Sequence, residues 1–367
     1  MSIESISESM KDASLLELGW GNAFIQQLSL DEWDDCLPAR IIEQHKSEVT
    51  VATEQGCFSV TLPVQLDFTL AVGDWVLLDK QKQLVRVLER NTVFARKAAG
   101  AKVKEQLIAA NVDTVFIVCS MNQDFNLNRI ERYLVLANEA GAEAVVVLTK
   151  ADLCESQQVV SDFIDQAQAL DPYLMVEALN ALDESSLEAL SPWCKVGKTV
   201  ALLGSSGVGK STISNLLMGQ SVQSTAGIRE DDSKGRHTTT SRSLHLIPKG
   251  SRLSGGLLLD TPGMRELQLA NVEAGIEETF SDVLAFAENC KFSDCTHASD
   301  LPEGSGCRVQ GAIKAGELPE RRLLSYQKLQ REDQLNSSSL AERRDKDKQF
   351  GKMIKSVMKD VKSRKQR

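Results

Sequence analysis

The chain has 367 residues, 42% of them hydrophobic and 25% charged, with a formal net charge of −9. That length exceeds what one core usually organises, so two or three domains are expected, and the composition is that of a soluble globular protein. The negative balance excludes a chain that coats nucleic acid indiscriminately. No apolar run approaches the ~20 residues of a membrane span, and an N-terminus carrying Glu4, Glu8, Asp12 and Glu17 excludes a signal peptide or anchor. A cytoplasmic protein with no membrane partner is expected.

Residues 1–36 carry eight acidic residues and one lysine, and predict a mobile acidic leader. Over residues 37–97, short runs rich in Val, Ile and Leu (40–45, 49–53, 58–62, 75–79 and 84–88) alternate with turn signals at Gly56, Pro63 and Gly73-Asp74. This cadence predicts a small all-β barrel of the oligonucleotide-binding (OB) type. Such barrels bind nucleic acid or only protein, so the fold settles no function. From residue 112 the pattern changes. Residues 112–119 form a nearly continuous apolar run, the signature of a strand buried on both faces. Residues 128–140 then place Ile130, Tyr133, Leu134 and Ala137 on one helical side, with Gly141 as the stop. A strand over 144–148 follows, and alternation continues through 161–170, 174–178 and 187–190 to a strand at 199–203. The prediction is a doubly wound α/β domain with a mostly parallel sheet.

Ligands of such sheets lie beyond the carboxyl ends of the strands. Two strand ends carry chemistry here. After 144–148 comes Thr149-Lys150-Ala151-Asp152, in which Asp152 can accept from both the N1–H and the exocyclic amine of guanine, while the stem of Lys150 lies along the base. After 199–203 comes Gly204-Ser205-Ser206-Gly207-Val208-Gly209-Lys210-Ser211-Thr212. Its glycines let successive N–H groups converge at a helix N-terminus, Lys210 reaches the β- and γ-phosphates, and the Ser211 hydroxyl ligates Mg²⁺. Residues 219–242 hold Gly235-Arg236-His237-Thr238-Thr239-Thr240 and read as a first switch whose threonines reach Mg²⁺ and the γ-phosphate, with Thr239 taken as the Mg²⁺ contact and Thr238 and Thr240 as the alternatives. A strand at 257–259 ends in Asp260-Thr261-Pro262-Gly263, where Asp260 holds a Mg²⁺ water and the Gly263 N–H senses the γ-phosphate. A guanine reader and two switches describe a GTPase. Because the reader precedes the phosphate loop, the domain is circularly permuted.

Five cysteines, Cys36, Cys57, Cys119, Cys154 and Cys194, are scattered, whereas Cys290, Cys295 and Cys307 cluster with His297 within eighteen residues. Three thiolates and one imidazole complete a tetrahedral Zn²⁺ shell, which makes a structural site. Short helices over 309–314 and 320–332 lean on it. From residue 341 to the end, eleven Lys/Arg face four Asp/Glu, so the basic charge gathers in a tail that reads either as a solvated end or as a nucleic-acid arm.

The order barrel, TKAD, GSSGVGKST, GRHTTT, DTPG and zinc knuckle resembles the permuted bacterial ribosome-biogenesis GTPases, the ribosome small-subunit-dependent GTPase A family, over about residues 37–335. Three positions depart from the usual pattern: Thr149 stands where most GTPases carry Asn, Glu177-Ala178 where Ser-Ala supports the base, and the loop between His297 and Cys307 is longer. The resemblance implies an OB barrel over 37–97, a GTPase domain over 98–270, a helical zinc-binding domain over 271–335 and a basic tail over 336–367. It also implies a monomeric, Mg²⁺-dependent GTPase that binds the 30S subunit and its 16S rRNA in late maturation, is stimulated by the subunit, and leaves as GDP forms. Ala178 then joins the nucleotide site. Met264 occupies the position where many GTPases place the Gln that orients the attacking water, so His237 is the expected water-positioning residue, the alternative being a loop histidine that touches rRNA. A P-loop kinase is disfavoured because the TKAD tetrapeptide selects guanine; an RNA-binding module with incidental hydrolysis is the other alternative.

Overall fold

The computed structural model describes residues 10–45, 47–63, 67–97, 105–219, 242–250, 253, 255–260, 269, 271–299 and 306–337. The expected barrel strands appear as β1 (Leu37–Gln44), β2 (Glu48–Thr53), β3 (Gly56–Thr61), β4 (Trp75–Leu78) and β5 (Leu84–Val87). β1 pairs antiparallel with β2 along one edge and β4 along the other, β2 continues to β3, and β4 to β5. Their inward residues Ala39, Ile41, Val49, Val51, Val60, Val76 and Leu78 share one core with Leu70, an arrangement consistent with a barrel.

The leader departs from expectation. From Met10 onward it is folded against the rest of the chain: Met10 and Leu18 are fully buried and Phe24 nearly so. Two short helices, α1 (Asn22–Ile25) and α2 (Leu30–Asp35), belong to it, and α2 is closed by a reciprocal capping box between Ser29 and Glu32. The acidic composition conceals a few spaced anchors. They suffice because they fill a surface already built by other elements: the Trp20 ring lies 4.7 Å from Trp75 of β4, and Phe24 5.7 Å from it. Beside them Arg40 of β1, 1% exposed, donates to Leu18 O (2.5 Å), Asn111 O (2.9 Å) and Thr199 Oγ1 (2.8 Å). One guanidinium thus joins leader, barrel and α/β domain, and its burial holds its pKa down, at about 10.

A hairpin of β6 (Val93–Lys97) and β7 (Glu105–Ala110) follows, so the boundary expected at residues 97/98 falls between two strands that pair. The α/β domain then contributes β8 (Thr114–Ser120), α3 (Leu127–Ala140), β9 (Glu143–Thr149), α4 (Gln157–Gln168), β10 (Met175–Ala178), β11 (Thr199–Leu203), α5 (Lys210–Leu217), β12 (Ser243–Leu246) and β13 (Leu257–Asp260). The strand order is β10-β9-β8-β11-β13-β12, parallel except for β12. All of β8 is buried because both faces are covered: Val115, Ile117 and Cys119 pack with residues of α3, while Phe116 and Val118 pack with those of α5. Residues 187–190 end a 3₁₀ helix, Glu184–Leu190, that buries Leu187 and Leu190 three apart and is capped by Asp183. β12 also pairs with β1 at Glu43↔Ser243, so the barrel strands and the α/β sheet form one continuous sheet.

The C-terminal part is helical: α6 (Glu273–Thr279), α7 (Ser281–Ala287), α8 (Arg308–Ala315) and α9 (Glu320–Ser337). α9 runs two residues into the stretch assigned to the tail. Phe280, Val283, Val309, Ala312, Leu323 and Leu329 share a core with α3. Arg322, 3% exposed, completes that contact by donating to Glu131 of α3 (2.7 Å) and to both carboxylate oxygens of Asp282 on α7 (2.9 and 2.7 Å).

Candidate functional site

The carboxyl ends of β9, β11 and β13 meet at one edge of the sheet, and the loops they carry are built for close approach. β11 passes straight into Gly204, whose φ of 148° brings the backbone against β8: a Cβ there would collide with Val118 O. Gly209, at φ 103°, caps α5, and a Cβ on it would lie 3.5 Å from the side chain of Thr149. Between them the loop turns at Gly207, with Val208 anchored in the core under α5 and Ser205 and Ser206 toward solvent. Lys210 opens α5; its Nζ donates to Gly204 O (2.7 Å) and to Ser205 O, holding the cation in the loop's mouth. Thr212 is half-buried on the next turn position.

Thr149 ends β9 and is fully buried. Its hydroxyl donates to Val208 O at 2.6 Å, with Cys119 O at 3.3 Å as the weaker alternative for the same hydrogen. The guanine reader and the phosphate loop are therefore latched by a single side chain. Lys150 then adopts the left-handed conformation, φ 64°, an uncommon state for a side-chain-bearing residue. The turn sends Ala151–Leu153 into one turn of 3₁₀ helix and leaves Asp152 exposed, its carboxylate available to two donors. Ala178 ends the neighbouring β10 opposite Leu148, and Leu179 N donates back to Leu148 O at 2.8 Å, which brings this strand end beside the reader. Burial raises the pKa of the Glu177 carboxyl.

Asp260, the last residue of β13, lines a small cavity with Lys210, Ser211, Ser214 and Asn215. The two residues expected to organise Mg²⁺, Ser211 and Asp260, thus face one space. Opposite Asp260 in register is Ser243, whose Oγ lies 2.8 Å from Nε2 of the buried His245. Burial lowers the pKa of His245, and the charge of Asp260 offsets part of that. This pair was absent from the expected site; its only trace in sequence is the alternation Ser243-Leu244-His245-Leu246. His237, Thr239 and its neighbours Thr238 and Thr240, Gly263 and Met264 lie outside the described residues.

The second cluster stands apart. Cys290, Cys295, His297 and Cys307 place their ligand atoms within 4.8 Å of one another. His297 Nδ1 is 3.7 Å from Cys290 Sγ and 3.5 Å from Cys307 Sγ. A tetrahedron with Zn–S and Zn–N bonds of about 2.3 and 2.0 Å has edges of roughly 3.5–3.8 Å, so the donors fit such an ion. Their surroundings are mixed: the pKa of the Cys290 thiol is lowered, while burial raises that of the Cys307 thiol to about 11. The backbone N–H groups of Arg308 and Gln310, at the start of α8, donate to Cys290 Sγ and Cys307 Sγ, and Gln310 Nε2 donates to His297 O at 2.8 Å. His297 has φ 53°, and burial lowers its pKa, keeping the imidazole neutral. The extra length before Cys307 leaves it within the cluster.

Three sets of known proteins resemble this chain. The model of the RsgA GTPase family matches residues 87–270. A protein of Vibrio parahaemolyticus named small ribosomal subunit biogenesis GTPase RsgA 2 is 54% identical over 352 residues, 96% of this chain and 95% of its own length. One from Mesorhizobium japonicum named small ribosomal subunit biogenesis GTPase RsgA is 45% identical over 340 residues, 91% and 94% of the two chains. Among solved structures, YjeQ from Thermotoga maritima matches with a TM-score of 0.57 and 26% identity, over 80% of this chain and 97% of that one. YloQ, described as a circularly permuted GTPase, shares the fold at a TM-score of 0.57 and 23% identity, over 83% and 96%.

Proposed function

The chain belongs to the RsgA GTPase family, and from that premise we propose that it binds the 30S ribosomal subunit late in maturation and that subunit-stimulated GTP hydrolysis drives its release. It is a circularly permuted, GTP-hydrolysing enzyme of ribosome biogenesis. The observation that carries the guanine-nucleotide part of this reading is the Thr149 latch, while the subunit as partner rests on the relatives' names. A reader for guanine bonded directly to a phosphate loop binds one nucleotide, GTP or GDP, at both ends.

In this reading Asp152 and Lys150 hold the base with Ala178 beside it, residues 204–212 cradle the phosphates, and Lys210 neutralises the β- and γ-oxygens. Ser211 and Thr239 would hold Mg²⁺, with Asp260 holding one of its waters, and the ion would supply charge neutralisation at the phosphates. Gly263 senses the γ-phosphate, and His237 orients the attacking water in place of the Gln that Met264 replaces. The three cysteines and His297 would hold one structural Zn²⁺. The protein acts as a monomer in the cytoplasm, contacting 16S rRNA through its outer domains and basic tail. Among the described residues no helix is long and apolar enough to cross a membrane.

Steady-state GTP turnover with and without purified 30S subunits tests the reading: turnover should rise with subunits and saturate. Unchanged turnover would leave an RNA-binding module with incidental hydrolysis. His237→Ala should keep GTP affinity and lose most of the stimulated rate; stimulated turnover at the wild-type level would remove His237 from the mechanism.

A further inference from the structure

The leader helix α2 presents an unpartnered face. Leu30 is 87% exposed and Trp33 57%. The same six residues carry four carboxylates, of which Glu32 pairs with Arg86 and Asp35 with Lys80. Asp31 and Asp34 form no ion pair or hydrogen bond through their side chains among the described residues, although Lys80 also acts on Asp34 through space. An exposed aromatic and leucine set among four acids that meet only two cations, Arg86 and Lys80, fits a segment that is both basic and apolar.

The chain itself carries such a segment. Past α9, Phe350, Met353, Ile354, Val357, Met358 and Val361 recur at three- and four-residue intervals, the spacing of one helical face, with Lys352, Lys355, Lys359 and Lys362 between them. Its point of departure is favourable. Ser337 lines a groove with Glu139, Glu273, Glu277 and Asp333. Glu139 lies near the end of α3, whose cap Gly141 packs toward Asn91 O. Two residues before Asn91, Glu89 exchanges hydrogen bonds with Gln27, three residues ahead of α2. From Ser337 to α2 the surface is thus a run of direct neighbours that begins in an acidic groove. Residues 338–349 can span about 40 Å at roughly 3.3–3.6 Å each.

We propose that α2 is the intramolecular seat of residues 350–362, which dock on Leu30 and Trp33, place their lysines against Asp31 and Asp34, and are thereby withheld from nucleic-acid phosphates until a subunit competes for them. The groove acids offer charge but only Ala274 as an apolar surface, so the apolar stripe assigns the seat to α2. The withholding, unlike the docking, rests on reading the tail as a phosphate-contacting arm.

Two experiments on the full chain test this. Carbodiimide cross-linking followed by mass spectrometry should join Lys352, Lys355 or Lys359 to Asp31 or Asp34, at a yield independent of protein concentration. Cross-links confined to Glu273 and Glu277, or a yield that rises with concentration, would overturn the docking. The charge-neutral double variant Leu30→Ser, Trp33→Ser should bind a labelled oligouridylate about fivefold more tightly at low salt, and the same pair in a chain ending at Ser337 should change nothing. An equal gain with and without the tail would overturn the release. Specific cross-links with no gain in either chain would keep the docking and remove only the phosphate-arm reading.

Discussion

At the scale of single residues, the proposed nucleotide site depends on a bond between its own two loops. Thr149 stands where most GTPases carry Asn, and its hydroxyl spans the reader and the loop at 2.6 Å. Thr149→Val would keep the volume and leave Val208 O without its donor in a buried setting, which costs about 1–3 kcal/mol. GTP and GDP affinities should therefore fall together by roughly 5- to 150-fold, as nucleotide titration would show, while the preference for guanine over adenine proposed for the exposed Asp152 should stay. A loss confined to GTP would mean that the hydroxyl serves the γ-phosphate and does not latch the loop. Sequence alone could identify Thr149 as an exception; only the fold shows that a hydroxyl reaches the carbonyl because Gly209 lets the two loops approach.

At the scale of elements, α6 opens the C-terminal helices and packs on the α/β domain. It crosses α3 at Gly275, where a Cβ would run into Val135 O, and Gly275 N donates to Glu139 Oε2 at 2.8 Å. Backbone cannot yield as a side chain does, so Gly275→Ala should destabilise by at least about 2 kcal/mol and lower the melting temperature by several degrees; unchanged melting would show that the helices part easily. The metal cluster makes the complementary prediction. It ties residues 290–307 together where few apolar side chains are available, so zinc should be near-stoichiometric in the purified protein, and Cys295→Ser should loosen that loop while α6, packed on α3, persists. Absence of metal, or a Cys295→Ser protein with unaltered protease resistance in that loop, would exclude a folding role. Elements with strong internal periodicity, α3 and the sheet strands among them, were legible in the sequence to within a few residues. α6, α7, β6, β7 and β12 were not, because they are short and their apolar residues acquire meaning only against partners distant in the chain, as β12 does between β13 and β1. The leader misled for the same reason: its acidic majority outweighs four anchors whose sockets lie on other domains.

For the whole molecule, each outer unit is pinned to the α/β domain by one buried arginine, Arg40 for the barrel and Arg322 for the metal-bearing helices. The Arg322 pin has an electrostatic liability. Glu131 is fully buried, and among the described residues its Oε2 has no hydrogen-bond partner and its ion pairs are with Arg322 and the half-exposed Arg321. Arg322→Met would strand that carboxylate, which costs about 3–5 kcal/mol, whereas Glu131→Gln combined with it removes the orphaned charge and should recover much of the loss. α3, which carries Glu131, directly follows the loop after β8, where Met121 N donates to Thr149 O at 3.0 Å. The Thr149 loop thus meets the loop that leads into α3, and Arg321 and Arg322 meet the first turns of that helix at Asn128 and Glu131. If the helices must be held in one orientation to grip the subunit in the GTP state, Arg322→Met should bind GTP with wild-type affinity yet sediment with 30S particles equally in GTP-analogue and GDP. The double variant should regain a preference for the analogue. A single variant that keeps the full nucleotide preference would show that the switches act on the subunit directly and that the pinned helices are only a platform.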